Sequence, residues 1–185
     1  MRTTAKLLSI AALAATTVFS SCSKTDDATT SKIAVTTWSG QLLGAQTNAA
    51  GSFFSPTTGV VYATSDSANF TANKVDISFA QIGATYTPTF IAPSARRSQG
   101  LTKVTGVNRA TTFVASTLTK AQFDTTSGAY INAQTASGAA TVTVAASAVY
   151  SFANAEGKKG LMYVSNLNAG TTTNGSVTIE VRYVK

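Results

Sequence analysis

Histidine is absent from this chain of 185 residues, and cysteine occurs once. The first absence removes the commonest general base and metal ligand. A Ser–His–Asp triad, a Cys–His pair and an imidazole-based zinc site are all excluded. With one cysteine, no disulfide can form within the chain. Acidic residues number only seven, and none forms the dense acidic loop that calcium requires. The one carboxylate pair close enough in sequence to face each other across a turn is Asp66 and Asp76. Glycoside hydrolysis needs such a pair. The simpler reading makes Asp66 a helix cap and Asp76 an outward strand residue. Charged residues make up 11% of the chain, against roughly 25% in an average domain. The 14 basic residues are not gathered into the strong patch of a nucleic-acid protein. No glycine pattern sits between a strand and a helix as a phosphate cradle would. No cofactor is expected.

What is present begins at the N-terminus. Arg2 and Lys6 precede an apolar run from Leu7 to Phe19, followed by Ser20, Ser21 and Cys22. Charge, apolar core and small residues in that order make an export signal. The run falls short of the roughly 20 apolar residues of a membrane span. Phe19-Ser20-Ser21-Cys22 resembles the cleavage segment of bacterial lipoproteins. Ser20 and Ser21 fit it, and Phe19 stands where that family usually carries Leu. The resemblance implies cleavage before Cys22 and acylation of its thiol. Two acyl chains on a thioether anchor a protein stably, at about 0.8 kcal/mol per buried CH₂. Removing Arg2 and Lys6 with residues 1–21 lowers the formal charge from +7 to +5. Lys24, Asp26 and Asp27 follow the cysteine and resemble the lysine-plus-acid signal of surface-exposed lipoproteins of Bacteroidota. The same residues also read as a plain polar tether over 22–31, which leaves the periplasmic face of the outer membrane as the alternative to the cell surface.

From residue 32 to 185 the pattern is that of one domain of short strands. Ile33, Val35 and Thr37 alternate with Ala34, Thr36 and Trp38 up to a break at Ser39-Gly40, and Leu42 to Gln46 reads as a second strand. Val60 to Ala63 follows, then one helical turn capped by Ser65 or Asp66. Val75, Ile77 and Phe79 predict a half-buried strand with Asp76 outward. Pro88 and Pro93 confine the segment between Thr85 and Ile91 to an edge strand or loop. Thr119 and Gln122 form a capping box for a short helix through Phe123, ending by Gly128. The alternation of Val177, Ile179, Val181 and Tyr183 is the strongest strand signal. Many short strands with Gly, Thr and Asn turns predict an all-β fold: an antiparallel two-sheet sandwich, immunoglobulin-like or jelly-roll, with one or two short helices.

Two groups of residues are candidates for binding. Arg96, Arg97, Lys103 and Arg109 form the densest basic stretch and could hold an anionic glycan or a lipid headgroup, or simply be solvated. Trp38, Tyr62, Tyr86 and Tyr130 could stack on a sugar, or serve as sheet packing. Asp66-Ser67-Ala68 and Asp124-Thr125-Thr126 resemble the O-glycosylation motif of Bacteroidota, which would put glycans on Ser67 and Thr125. The tether, Trp38-Ser39-Gly40, Leu42-Leu43-Gly44-Ala45-Gln46, Gly51-Ser52-Phe53-Phe54-Ser55 and Glu156-Gly157-Lys158-Lys159-Gly160-Leu161 together resemble small uncharacterised outer-membrane lipoproteins of Bacteroidota. That resemblance implies a compartment and a β fold, with no activity to transfer. The expectation is a non-catalytic structural or binding module on a lipid anchor, or alternatively an accessory factor binding a surface glycan or protein; a hydrolase ranks behind both.

Overall fold

Apolar, β-branched and hydroxyl residues build ten strands among the described residues. In the computed structural model the described residues are 32–104, 107–135 and 137–185. Cys22, Lys24, Asp26 and Asp27 lie outside them. One sheet contains β1 (Val35–Gly44), β6 (Thr111–Ser116), β8 (Val149–Asn154), β9 (Lys159–Asn168) and β10 (Ser176–Val184), in the order β1-β10-β9-β8-β6. The other contains β2 (Phe53–Ser55), β3 (Val60–Tyr62), β4 (Ile77–Ile82), β5 (Thr87–Ile91) and β7 (Thr141–Thr143), in the order β3-β2-β4-β5-β7. All pairings within the two sheets are antiparallel. The protein is an all-β, two-sheet antiparallel sandwich.

The period-2 rule explains the interior. On β10, Val177, Ile179, Val181 and Tyr183 point inward, as their alternation predicts. They meet Phe54, Ile77, Phe79 and Phe90 of the facing sheet in the main core. Each sheet also has a smaller apolar cluster outside this core. Beneath α1 (Lys120–Thr125) and α2 (Gly128–Ala133), Phe123 and Ile131 cover Val149, Leu161 and Val184. On the other side Phe53, Phe70, Val75, Val104 and Val107 form a third cluster. Neighbouring residues of β2, β4 and β8 are therefore buried on both faces.

Several expectations need correction. Ser39-Gly40 does not end a strand. It is a bulge inside β1: Trp38 pairs with Val181 and Gln41 with Ile179, leaving one extra residue. Gly40 supplies the positive φ of 66° there. Leu42 to Gly44 thus continues β1. The strand with Pro88 is not at an edge, because β5 lies between β4 and β7. The Pro88 carbonyl accepts from the Val144 N–H at 2.8 Å, so its missing donor falls where β7 has already ended. The turn near Ser65 is a 3-10 helix over Thr64–Asn69 that starts after Ala63. Asp66 occupies its third position and accepts from the Ala63 N–H at 2.9 Å.

The capping box at Thr119 is present. The Gln122 N–H donates to Thr119 Oγ1 at 3.3 Å, and the Thr119 N–H donates to Gln122 Oε1 at 2.9 Å. Thr119→Ala removes the side-chain half of it. The expected loss is about 1 kcal/mol, or a melting point lower by about 2–4 °C. Thermal unfolding followed by circular dichroism checks this; an unchanged midpoint would show that the cap is not holding α1.

Candidate functional site

The basic stretch read from the sequence divides on folding into three environments. Arg97 is exposed, on a 3-10 turn over Arg97–Gln99. Arg109 is buried against Asp76, with Nε to Oδ1 at 2.6 Å. Arg96 is also buried but enters a different part of the molecule, beneath the ring of Phe53.

The Asp76 site is an electrically closed network. Asp76 is fully buried, which corrects its expected outward position. Its Oδ2 accepts from Asn154 Nδ2 at 2.9 Å, and its carbonyl accepts from the Thr111 hydroxyl at 2.6 Å. Asn154 Nδ2 also donates to the Tyr183 hydroxyl at 3.1 Å. Arg109 Nη2 faces Glu156 at 3.5 Å, and Glu156 accepts from Lys74 at 3.1 Å. Burial pushes the Asp76 carboxyl above its usual range, against the pull of Arg109 and Asn154. Burial also opposes the charge of Arg109, but Asp76 and Glu156 outweigh it and hold the guanidinium charged. The two differ because Asp76 lies wholly inside, whereas Arg109 reaches toward a half-exposed Glu156.

Arg96 has no such closure. Ala92 and the turn-starting Pro93 lead into a 3-10 turn, and Gly100 with a φ of 76° ends the next one. Arg96 stands between them, 4% exposed. Its guanidinium carbon lies 4.5 Å from the centre of the Phe53 ring, a cation–π contact. Nη1 reaches the Phe79 carbonyl only at 3.4 Å. Among the described residues Nε has no hydrogen-bond partner, and no carboxylate pairs with the group. Burial alone pushes its pKa down to about 10, so it remains charged at neutral pH. It lines a cavity of about 170 Å³ together with Gln46, Thr64, Gly100, Leu101, Thr102 and Lys103.

The aromatic platform does not assemble as four exposed rings. Trp38 donates from Nε1 to the Pro56 carbonyl at 2.9 Å. Its ring lies against Gly59, where a Cβ would come within 2.5 Å of it. Tyr62 packs edge-on against Phe70. Tyr86 and Tyr130 are exposed, but one is on the β4–β5 turn and the other on α2. Ser67 is half-buried on the 3-10 helix. Thr125 is exposed, with its hydroxyl donating to the carbonyls of Ala121 and Gln122.

The five acids of the described domain are all engaged. Asp66 caps a backbone N–H, and Asp76 and Glu156 belong to the Arg109 network. Lys120 holds Asp124 at 2.6 Å and Glu180 at 3.4 Å. Among the described residues no group of His, Cys, Asp and Glu could hold a metal ion, and no helix is long and apolar enough to cross a membrane.

Sequence reasoning missed the glutamine pair that closes one end of the sandwich. Gln46 Nε2 donates to the Gln81 carbonyl at 2.6 Å, and Gln46 Oε1 accepts from the Gln81 N–H at 3.0 Å. The Gln81 side chain in turn donates to the Ala169 carbonyl and accepts from the Gly175 N–H. No sequence signal separates these glutamines from solvated ones. Comparison with protein-family models, curated proteins and solved structures found no match.

Proposed function

We propose that this protein is a non-catalytic binding module held on the outer membrane by acylated Cys22 and displayed on the cell surface. The observation that supports it best is the state of the carboxylates. Each of the five in the domain already serves an ion pair or a cap. A general acid or base needs a free carboxyl facing a cleft, and these are committed to holding strands and helices together. The two-sheet frame, with a small cavity at Arg96 that no carboxylate among the described residues lines, suits recognition better than turnover.

Anchoring is tested in cells. Cys22→Ala is expected to move the protein from the membrane fraction to the soluble exported fraction. Retention in membranes would refute the anchor. Protease treatment of intact cells is expected to degrade the wild-type protein, and full protection would place it on the periplasmic face.

A further inference from the structure

We infer that the cavity at Arg96 is a binding site for an oxyanion carried by a small polar ligand, such as the carboxylate or phosphate of an acidic sugar. This deepens the binding-module reading. Its test does not use the anchor, so either can fail without the other.

Arg96 and Arg109 are both buried arginines, and the contrast between them carries the argument. Burying a guanidinium costs free energy unless a partner compensates. Arg109 has two carboxylates in reach, Asp76 at 2.6 Å and Glu156 at 3.5 Å, which compensate its charge although its Nη2 also makes no hydrogen bond among the described residues. Arg96 has a ring face, one long contact to a carbonyl, and an Nε without an acceptor among the described residues. Its planar fork is the geometry that takes a carboxylate or phosphate side-on. Lys103 adds a second positive charge at the cavity, and no acid among the described residues lines it. Thr64 and Thr102 supply hydroxyls. Gln46 serves as wall, since both ends of its amide already bind Gln81. The cavity of about 170 Å³ has room for a small anionic group.

The experiment is calorimetric titration of the purified full chain at low salt with glucuronate, glucose 6-phosphate and neutral glucose. At least one anion is expected to bind and glucose to give no signal. Which anion binds distinguishes a carboxylate source from a phosphate source. Arg96→Met is expected to weaken binding about 10- to 100-fold. The same variant is expected to melt at a higher temperature than wild type, since a buried charge without a partner is gone. The bound anion should raise the melting point of wild type more than that of R96M at the same anion concentration. Lys103→Ala changes an exposed side chain outside the core, and its affinity should fall about 2- to 5-fold. The inference is overturned if neither anion binds better than glucose, if R96M binds as wild type does, or if K103A leaves affinity unaltered.

Discussion

Asp76→Ala should lower the stability of the domain by about 3–5 kcal/mol, because it strands Arg109 in the interior. Arg109 is 7% exposed, and its shortest contact is the one that this substitution removes. Asn154 loses an acceptor at the same time. Glu156, 3.5 Å from Nη2 and half-exposed, is too distant to replace Asp76. In a domain of this size such a loss lowers the melting point by about 6–20 °C. The cause is the unpaired charge, so removing both charges should behave differently. The double variant Asp76→Leu with Arg109→Met should recover most of the loss, as buried ion pairs replaced by apolar groups often do. Chemical denaturation of the two single variants and the double variant measures this. If Asp76→Ala costs less than about 1 kcal/mol, the pair behaves like a surface contact and the network does not hold β4 to β8.

Phe90→Ala should cost about 3–5 kcal/mol by a different mechanism, an unfilled cavity between the sheets. Phe90 is fully buried on β5. Its ring centroid lies 6.1 Å from that of Phe79, 6.3 Å from Phe113 and 5.6 Å from Tyr150. Phe79 is on the same sheet, whereas Phe113 and Tyr150 come from the facing one. The ring therefore joins the two layers at the centre of the sandwich. Tyr150 cannot move into the space, since its hydroxyl accepts from the Ala145 N–H at 2.8 Å and donates to the Thr143 carbonyl at 3.0 Å. Phe90→Leu, which keeps most of the volume, should lose less than half as much. Equal losses for Ala and Leu would show that the edge contacts with Phe79 and Tyr150 matter more than the filled volume.

The features readable in the sequence were the local ones. The alternation on β10 and the capping box at Thr119 are each set by residues within a few positions of one another, and both are present. The misreadings came from partners distant in the chain. Asp76 reads as outward because alternation on a strand normally means one wet face. Here β4 and its approach are covered on both sides, and the outer cover is a cluster of residues from Phe53 to Val107. The partner that neutralises Asp76 is 33 residues away. Ser39-Gly40 carries the composition of a turn, and only the register against β10 reveals a bulge. A second short helix is within the expectation, but its place is not: Gly128 reads as a helix end, whereas Ser127 caps α2 directly after α1 and Gly128 opens it. Gly128 is required there because a Cβ would come within 2.1 Å of the Ile33 carbonyl, a contact between segments far apart in sequence.

The candidate site was legible as a list of basic residues but not as a site. Arg96, Arg97 and Arg109 read as one stretch, and the fold assigns them to a cavity, to solvent and to an ion pair. What distinguishes Arg96 is burial with no carboxylate paired to it among the described residues, which only the three-dimensional arrangement shows. Trp38 was readable as an aromatic, yet its neighbour Gly59 and acceptor Pro56 make it a packing residue on the flank of the sandwich.

The central claim is that a binding domain is carried on an acylated cysteine. Mass spectrometry of the N-terminal peptide, taken from membranes of the native host, tests it most directly. The account predicts a peptide that begins at Cys22 and bears a diacylglyceryl group on its sulfur. A free Cys22 thiol, or a chain that begins at another residue, would contradict it.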